Sequence, residues 1–265
     1  MNNKPFLLIL FGYLPSITKG VEQMLNTVKT DGFQTVTTPQ FKNIILSGLP
    51  ETEYREIAPD LQLVEMKSHD VINRPYEHVQ YVYFPETSMV SSVKILEDGA
   101  SVETGSIGRE GVTGISVALS KRPSPKLSIV QIPGEGYRMK SDKFRAALKR
   151  NGLLSDLVSE FIFTNFTETA QCVACNSHHT VTERLAKWLL ISQCKTGRKE
   201  LELTQDFIAQ MLGIHRPGVT LAALQLKNAG LIDYRRGLVR ITDKEGLEEF
   251  ACECYETLKS GYPCN

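Results

Sequence analysis

The spacing of apolar positions changes three times along the chain. Between residues 61 and 132 the apolar runs are short: 61–66, 70–72, 81–84, 88–96, 101–104 and 127–132. Turn residues separate them, with Gly99, Gly105, Gly108, Gly111, Gly114 and Gly134 as punctuation, and the spacing suits the strands of a small barrel or jelly roll. Residues 41–50 and 51–58 predict a short helical entry to that region. Ser141 stands as the N-cap of a helix over 142–150, acid early and base late, which Asn151-Gly152 stops. A longer helix follows, from about 153 to 179. Alternate steps of four and three residues from Leu154 reach Val158, Phe161, Asn165, Glu168, Cys172, Cys175 and His179. That seam predicts a parallel dimer helix, leaving Leu157, Phe163, Phe166 and Val173 to face the chain's own domains. Glu168 at mid-seam needs a partner or water. Thr180 or Thr182 caps a further helix over 183–192, which carries the sole tryptophan, Trp188.

The pattern then shortens into two helices meeting at a tight turn. Thr204 caps the first, Phe207, Ile208, Met211 and Leu212 form its apolar face, and Gly213 ends it. The second starts near Arg216 with Pro217 in its first turn, and Val219, Ala223 and Leu226 can pack onto the first. Residues 230–243 read as two short strands with Arg235, Arg236 and Gly237 at their turn. This is the pattern of a winged helix-turn-helix that binds DNA. An exposed helix fits a major groove, its first residues reach base edges, and an arginine can bond guanine through two donors. Arg216, Gly218, Thr220 and Leu221 are the candidates for the outward face, with Arg216 the expected base reader; His215 and Pro217 join Gly218 and Thr220 as further DNA-binding candidates, while Thr204, Gln205, Arg235 and Arg236 are expected to hold phosphates.

Charge and cysteine content refine this reading. The 265 residues carry 30 Lys and Arg against 30 Asp and Glu, so any basic surface must come from local distribution. Basic residues dominate from 181 to 240, and the chain is acidic beyond 243. Six cysteines at 172, 175, 194, 252, 254 and 264 lack the spread of a secreted disulfide framework, which favours a reducing cytoplasm. Residues 1–40 form an extension with little period. Within it, residues 5–15 have the length of a signal-peptide apolar region but no small-residue cleavage site, and are too short to span a bilayer. No membrane association is expected.

The order of β-roll, long helix and winged helix-turn-helix resembles the Crp/Fnr family of bacterial transcription regulators over about residues 45–250. The likeness is carried by residues 182–190, 203–209, 213–219 and 224–236, where Arg216 and Val219 match the start of that family's recognition helix. The family often has a glutamate next and a second arginine further on; Pro217 and Leu221 stand here instead, which implies a different target site. Cyclic-nucleotide binders of the family have Phe-Gly-Glu followed by Arg-Ser/Thr-Ala in the roll. Here residues 108–114 occupy the first position and Ser124-Pro-Lys126 the second, so the arginine that pins the phosphate is missing. Gly108, Arg109, Glu110, Gly111 and Lys126 are the candidate effector-pocket residues, with Arg122 a further cation, and cyclic AMP binding in the usual manner is not expected. The oxygen-sensing branch binds its cluster through N-terminal cysteines, and this chain has none before 172.

Other chemistry is weaker. Cys172 and Cys175 share a helix face, so a dimer would present four thiols to zinc or an iron–sulfur cluster, but packing is the preferred role and no metal is assigned. Cys252 and Cys254, two apart in an expected terminal helix, are read as structural, and His178-His179 as a polar interface pair. Isolated His69 and His78 in the roll do not make the clustered ligand set of a cupin enzyme, so no catalytic residue and no cofactor is assigned. The expected architecture is α+β. It comprises an extension to residue 40, an N-terminal double-stranded β-helix (jelly roll) over 41–150, a dimerisation helix over 151–180, and a winged helix-turn-helix with a C-terminal helix over 181–265. The expected protein is a cytoplasmic homodimeric regulator bound to palindromic double-stranded DNA, with RNA polymerase a further candidate partner and the effector unknown. A ligand- or thiol-controlled regulator is the alternative, and an enzyme built on the roll ranks below both.

Overall fold

The computed structural model describes residues 40–120, 122–259 and 261–262, and the extension with its apolar segment 5–15 lies outside the described residues. Helices α1 (Ile44–Ser47) and α2 (Glu51–Ile57) lead into seven strands: β1 (Gln62–Met66), β2 (Val71–Asn73), β3 (Tyr81–Pro85), β4 (Met89–Ile95), β5 (Ser101–Ile107), β6 (Leu127–Ile132) and β7 (Gly134–Lys140), with the short helix α3 (Ser116–Leu119) before β6. They make two antiparallel sheets, ordered β1-β7-β3 and β2-β6-β4-β5. Six of the strands fall on the expected apolar runs. β7 does not, because Gly134 reads as punctuation and Gly136 interrupts any apolar run after it. They are glycines of close approach: a Cβ would come within 2.7 Å of Thr87 at the first and 2.8 Å of the Met66 sulfur at the second.

Helix α4 (Ser141–Leu148) packs Phe144 edge-on against Phe84 of β3. Its cap position is Lys140 rather than Ser141, whose hydroxyl instead donates to the Val79 carbonyl at 2.6 Å. Next comes α5 (Leu153–His178). Gly152 offers it no capping side chain, so Glu53 of α2 reaches across and accepts from the Leu153 and Leu154 N–H groups at 2.9 and 3.1 Å. Helix α6 (Val181–Thr196) begins with a capping box, Thr180 against Glu183, and ends on Gly197 in the left-handed region.

The predicted seam of α5 is correct in position and reversed in direction. Leu154, Val158, Phe161, Asn165, Glu168 and Cys175 are all buried, Cys172 is half-buried, and what covers them is this same chain. Leu154, Val158 and Phe161 join Val82, Phe84, Ile107, Val112 and Met139 in the core of the roll. Phe163, Phe166 and Val173, expected to face inward, are each about two-thirds exposed. A second core runs without a break from Met89, Val93 and Ile132 of the roll into α6 and the helices beyond it.

Candidate nucleic-acid interface

The turn between the two short helices is built from capping chemistry. Thr204 accepts from the Phe207 N–H at 3.2 Å and starts α7 (Gln205–Leu212); Gly213, at φ 63°, ends it and turns the chain into α8 (Arg216–Asn228) with Pro217 in the first turn. Val219, Ala222, Ala223 and Leu226 are buried against α6 and α7. The opposite face of α8 is open: His215, Arg216, Pro217, Thr220 and Leu221 are exposed, and Gly218 is half-buried.

The wing follows. Strands β9 (Ile232–Arg235) and β10 (Leu238–Ile241) pair with each other and with β8 (Glu200–Glu202), in the order β8-β10-β9. Arg236 and Gly237 form the two-residue turn, with φ of 50° and 80°, the pair of positive values a type I′ hairpin requires. Arg235 and Arg236 are therefore presented at an exposed tip. Thr204, Gln205, Asp206, Arg216, Tyr234, Arg236 and Gly237 line one cleft of about 460 Å³. Of the nine expected DNA-binding residues, Thr204, Gln205, Arg216 and Arg236 share that cleft, His215, Pro217, Gly218 and Thr220 lie on the helix beside it, and Arg235 stands on the wing.

Two residues at the cleft were not expected. Asp206 lies 3.5 Å from the Arg216 guanidinium, both side chains being more than 60% exposed, and Tyr234 donates to the Leu203 carbonyl at 3.1 Å. The first was legible, since Asp206 falls in the first turn of a capped helix, where acids are common. The Thr220 hydroxyl, 2.8 Å from Gln205 Oε1, ties the reading helix to the first. Behind the wing, Lys227 and Arg235 both reach Asp233 at 3.0 Å and hold its carboxyl below the usual range, Lys227 foremost.

The candidate effector residues do not gather around an open site. Glu110 turns inward, accepting from the Gly108 N–H at 3.0 Å and facing Lys195 of α6 at 3.3 Å. A Cβ on Gly108 would strike Lys195, and one on Gly111 would strike the Phe161 ring. The chain's own helices thus cover this loop. Arg109 lines a separate cleft with Gly197, Arg198 and Lys199, and half-buried Lys126 is held below the usual lysine range by burial. Lys195 is fully enclosed, donating to Ser106 and to both Glu168 oxygens at 3.0 Å. Burial lowers its pKa, but Glu168 and Glu110 outweigh that and leave it raised; Glu110 and Glu103 are raised by the same burial. Glu103 accepts from the Trp188 indole at 3.2 Å, and the Tyr262 hydroxyl donates to Glu168 at 2.6 Å.

The cysteines regroup as well. Burial pushes the Cys172 thiol up to about 12, against the reactivity a redox pair with Cys175 needs. The expected terminal helix is broken into α9 (Lys244–Phe250) and α10 (Cys254–Lys259), and the intervening turn brings Cys252 and Cys254 to Cys175 instead.

The chain is thus a β-roll joined through a long helix to a winged helix-turn-helix. Residues 183–250 match the Crp-like helix-turn-helix domain. Among solved structures the fold is shared with FixK2 from Bradyrhizobium japonicum (TM-score 0.62, 17% identity, covering 72% of this chain and 98% of that one). It is shared as well with a transcriptional regulator of the CRP/FNR family from Thermus thermophilus (TM-score 0.56, 17% identity, 72% and 98%). A third is the c-di-GMP responsive global regulator CLP of Xanthomonas campestris (TM-score 0.58, 13% identity, 72% and 99%). No curated protein matches the chain at a significant level. The family match thus covers the C-terminal helix-turn-helix, and the solved structures share the fold of the described chain. Among the described residues no helix is long and apolar enough to cross a membrane.

Proposed function

We propose that the chain acts as a homodimer on a roughly palindromic DNA site, in the cytoplasm, with Arg216 reading base edges and Thr204, Gln205, Arg235 and Arg236 holding phosphates. The observation that carries this is the shared cleft. Arg216, at the start of the reading helix, and Arg236, on the wing, flank the same opening, so one approach of the duplex engages a base contact and a backbone contact together. The dimer face is the exposed side of α5, where Phe163, Phe166, Ala170 and Val173 recur at three, four and three residues. Contact with RNA polymerase belongs to this reading if the protein activates, and no surface is assigned to it.

Glu110 bound to Lys195 favours a roll that does not take cyclic AMP through residues 108–111, because a ligand there would have to displace the Phe161 ring and that ion pair. Calorimetry giving tight, stoichiometric cyclic AMP binding would overturn that part. For the DNA part, purified reduced protein is incubated with fragmented DNA from its own genome and the recovered fragments are sequenced. A shared palindromic motif, relaxed at one base pair of each half-site in Arg216→Ala, is the expected result; random fragments with wild-type protein and with Arg216→Ala alike would refute the assignment.

A further inference from the structure

At the C-terminal end of α5, four side chains with soft donor atoms meet. Cys175 and His179 are four residues apart, and so share a face at the helix terminus, where His179 is the C-cap. Opposite them the chain between α9 and α10 turns at residues 251–253, so Cys252 lies outside both helices and Cys254 opens the second. The four ligand atoms all lie within 4.8 Å of one another. The Cys175 and Cys252 sulfurs are 3.6 Å apart, and the Cys254 sulfur is 3.5 Å from His179 Nδ1. Those are near the edges of a tetrahedron around one ion: with metal–sulfur bonds of about 2.3 Å, the sulfur–sulfur edge is about 3.8 Å.

We propose that Cys175, His179, Cys252 and Cys254 bind a single zinc ion that clips the end of the long helix to the C-terminal segment of the DNA-binding domain. The surroundings fit a structural site. All three cysteines are buried and form a small cluster of their own, apart from both large cores, so core packing does not account for them. The other imidazole nitrogen, His179 Nε2, lies 3.1 Å from a Glu253 carboxylate oxygen, the arrangement that fixes the tautomer and turns Nδ1 toward the sulfurs. Gln171 donates to the Cys254 sulfur at 2.9 Å, and Lys187 donates to the Cys175 sulfur at 3.2 Å. Three thiolates and one divalent ion leave a single negative charge, which the Lys187 ammonium offsets. Thiolate and imidazole donors exclude calcium and magnesium, and four protein ligands leave no open position for catalysis. The donors are also too close together for a multi-iron cluster, whose outer ligands stand further apart.

The proposal stands apart from the reading of DNA, and its test needs none. The full chain is reduced, stripped of metal under anaerobic conditions and titrated with Co²⁺, then with Zn²⁺. One Co²⁺ per chain is expected, with thiolate charge-transfer absorption and the intense visible bands of tetrahedral cobalt, both bleached by one equivalent of Zn²⁺. Cys252→Ser and Cys254→Ser are expected to lose these bands, Glu253→Gln to weaken zinc binding about 10- to 100-fold, and Cys172→Ser to bind as wild type. A wild-type spectrum without thiolate charge transfer would overturn the proposal whatever the variants do. So would a Cys172→Ser protein that loses the ion, or a Cys175–Cys252 disulfide in a chain that takes up no metal once reduced.

Discussion

Arg216 and Arg236 are both exposed arginines on one cleft, yet their physics differ. The pairing of Arg216 with Asp206 is solvent-exposed, so releasing the guanidinium to a base edge costs little. Arg216→Ala is expected to lose about 1 to 3 kcal/mol of discrimination at one base pair, measured by anisotropy titration against a set of single-base variants of the recovered site. Arg236 sits at φ 50°, a region where only glycine is unstrained, so the wing accepts backbone strain to put a cation at its tip. Arg236→Gly should therefore separate stability from binding. The hairpin keeps its turn and the denaturation midpoint holds or rises, while affinity falls alike on all sequences and the slope of log affinity against log salt drops by about one. Equal effects of both variants on specific and random duplexes would refute the division between reading and holding.

At the scale of elements, the long helix shows what periodicity can and cannot supply. Counting in fours and threes from Leu154 picks out the buried positions of α5, because any helix packed along one stripe repeats that way. It does not say what lies against the stripe. Here the polar members carried the missing information: Glu168 finds Lys195 and Tyr262 inside its own chain, partners a two-fold seam would not offer. The Thr204 cap, the turn at Gly213 and the wing arginines were legible because each depends on a few neighbouring residues, whereas the Ser141 cap failed because its hydroxyl turns to the Val79 carbonyl instead. The cysteine site was not, because it joins residues 77 apart through a turn that breaks an expected helix. The exposed ridge gives a direct test. Phe166→Glu should dissociate the dimer, with sedimentation showing monomers of unchanged far-ultraviolet dichroism, whereas Val158→Asp, within the roll's core, should unfold the chain. A Phe166→Glu protein that remains dimeric would move the interface elsewhere.

For the whole molecule, the decisive feature is that the roll and the DNA-binding domain share buried charge as well as apolar core. Lys195 of α6 is enclosed by Glu168 of the long helix and by Glu110 and Ser106 of the roll, while Trp188 donates to Glu103 of β5. Removing the lysine leaves buried carboxylates without their cation, so Lys195→Met is expected to destabilise the fold by about 3 to 5 kcal/mol, read from urea unfolding. The pH dependence has a definite sign. Burial raises Glu103 and Glu110 above their unfolded values, so between those values the native state holds more protons than the unfolded chain, and stability falls as pH rises through that window. Lys195, raised by Glu168 and Glu110 against burial, contributes stability that is complete below its ordinary value and is lost as pH climbs through the raised one. Both contributions slope the same way. Glu110→Gln removes one titration and should flatten the fall in urea midpoint from mildly acidic pH upward, relative to wild type. An unchanged profile would mean that Glu110 titrates in the native state as it does in the unfolded chain, and that the joint between roll and DNA-binding domain is held by its apolar core.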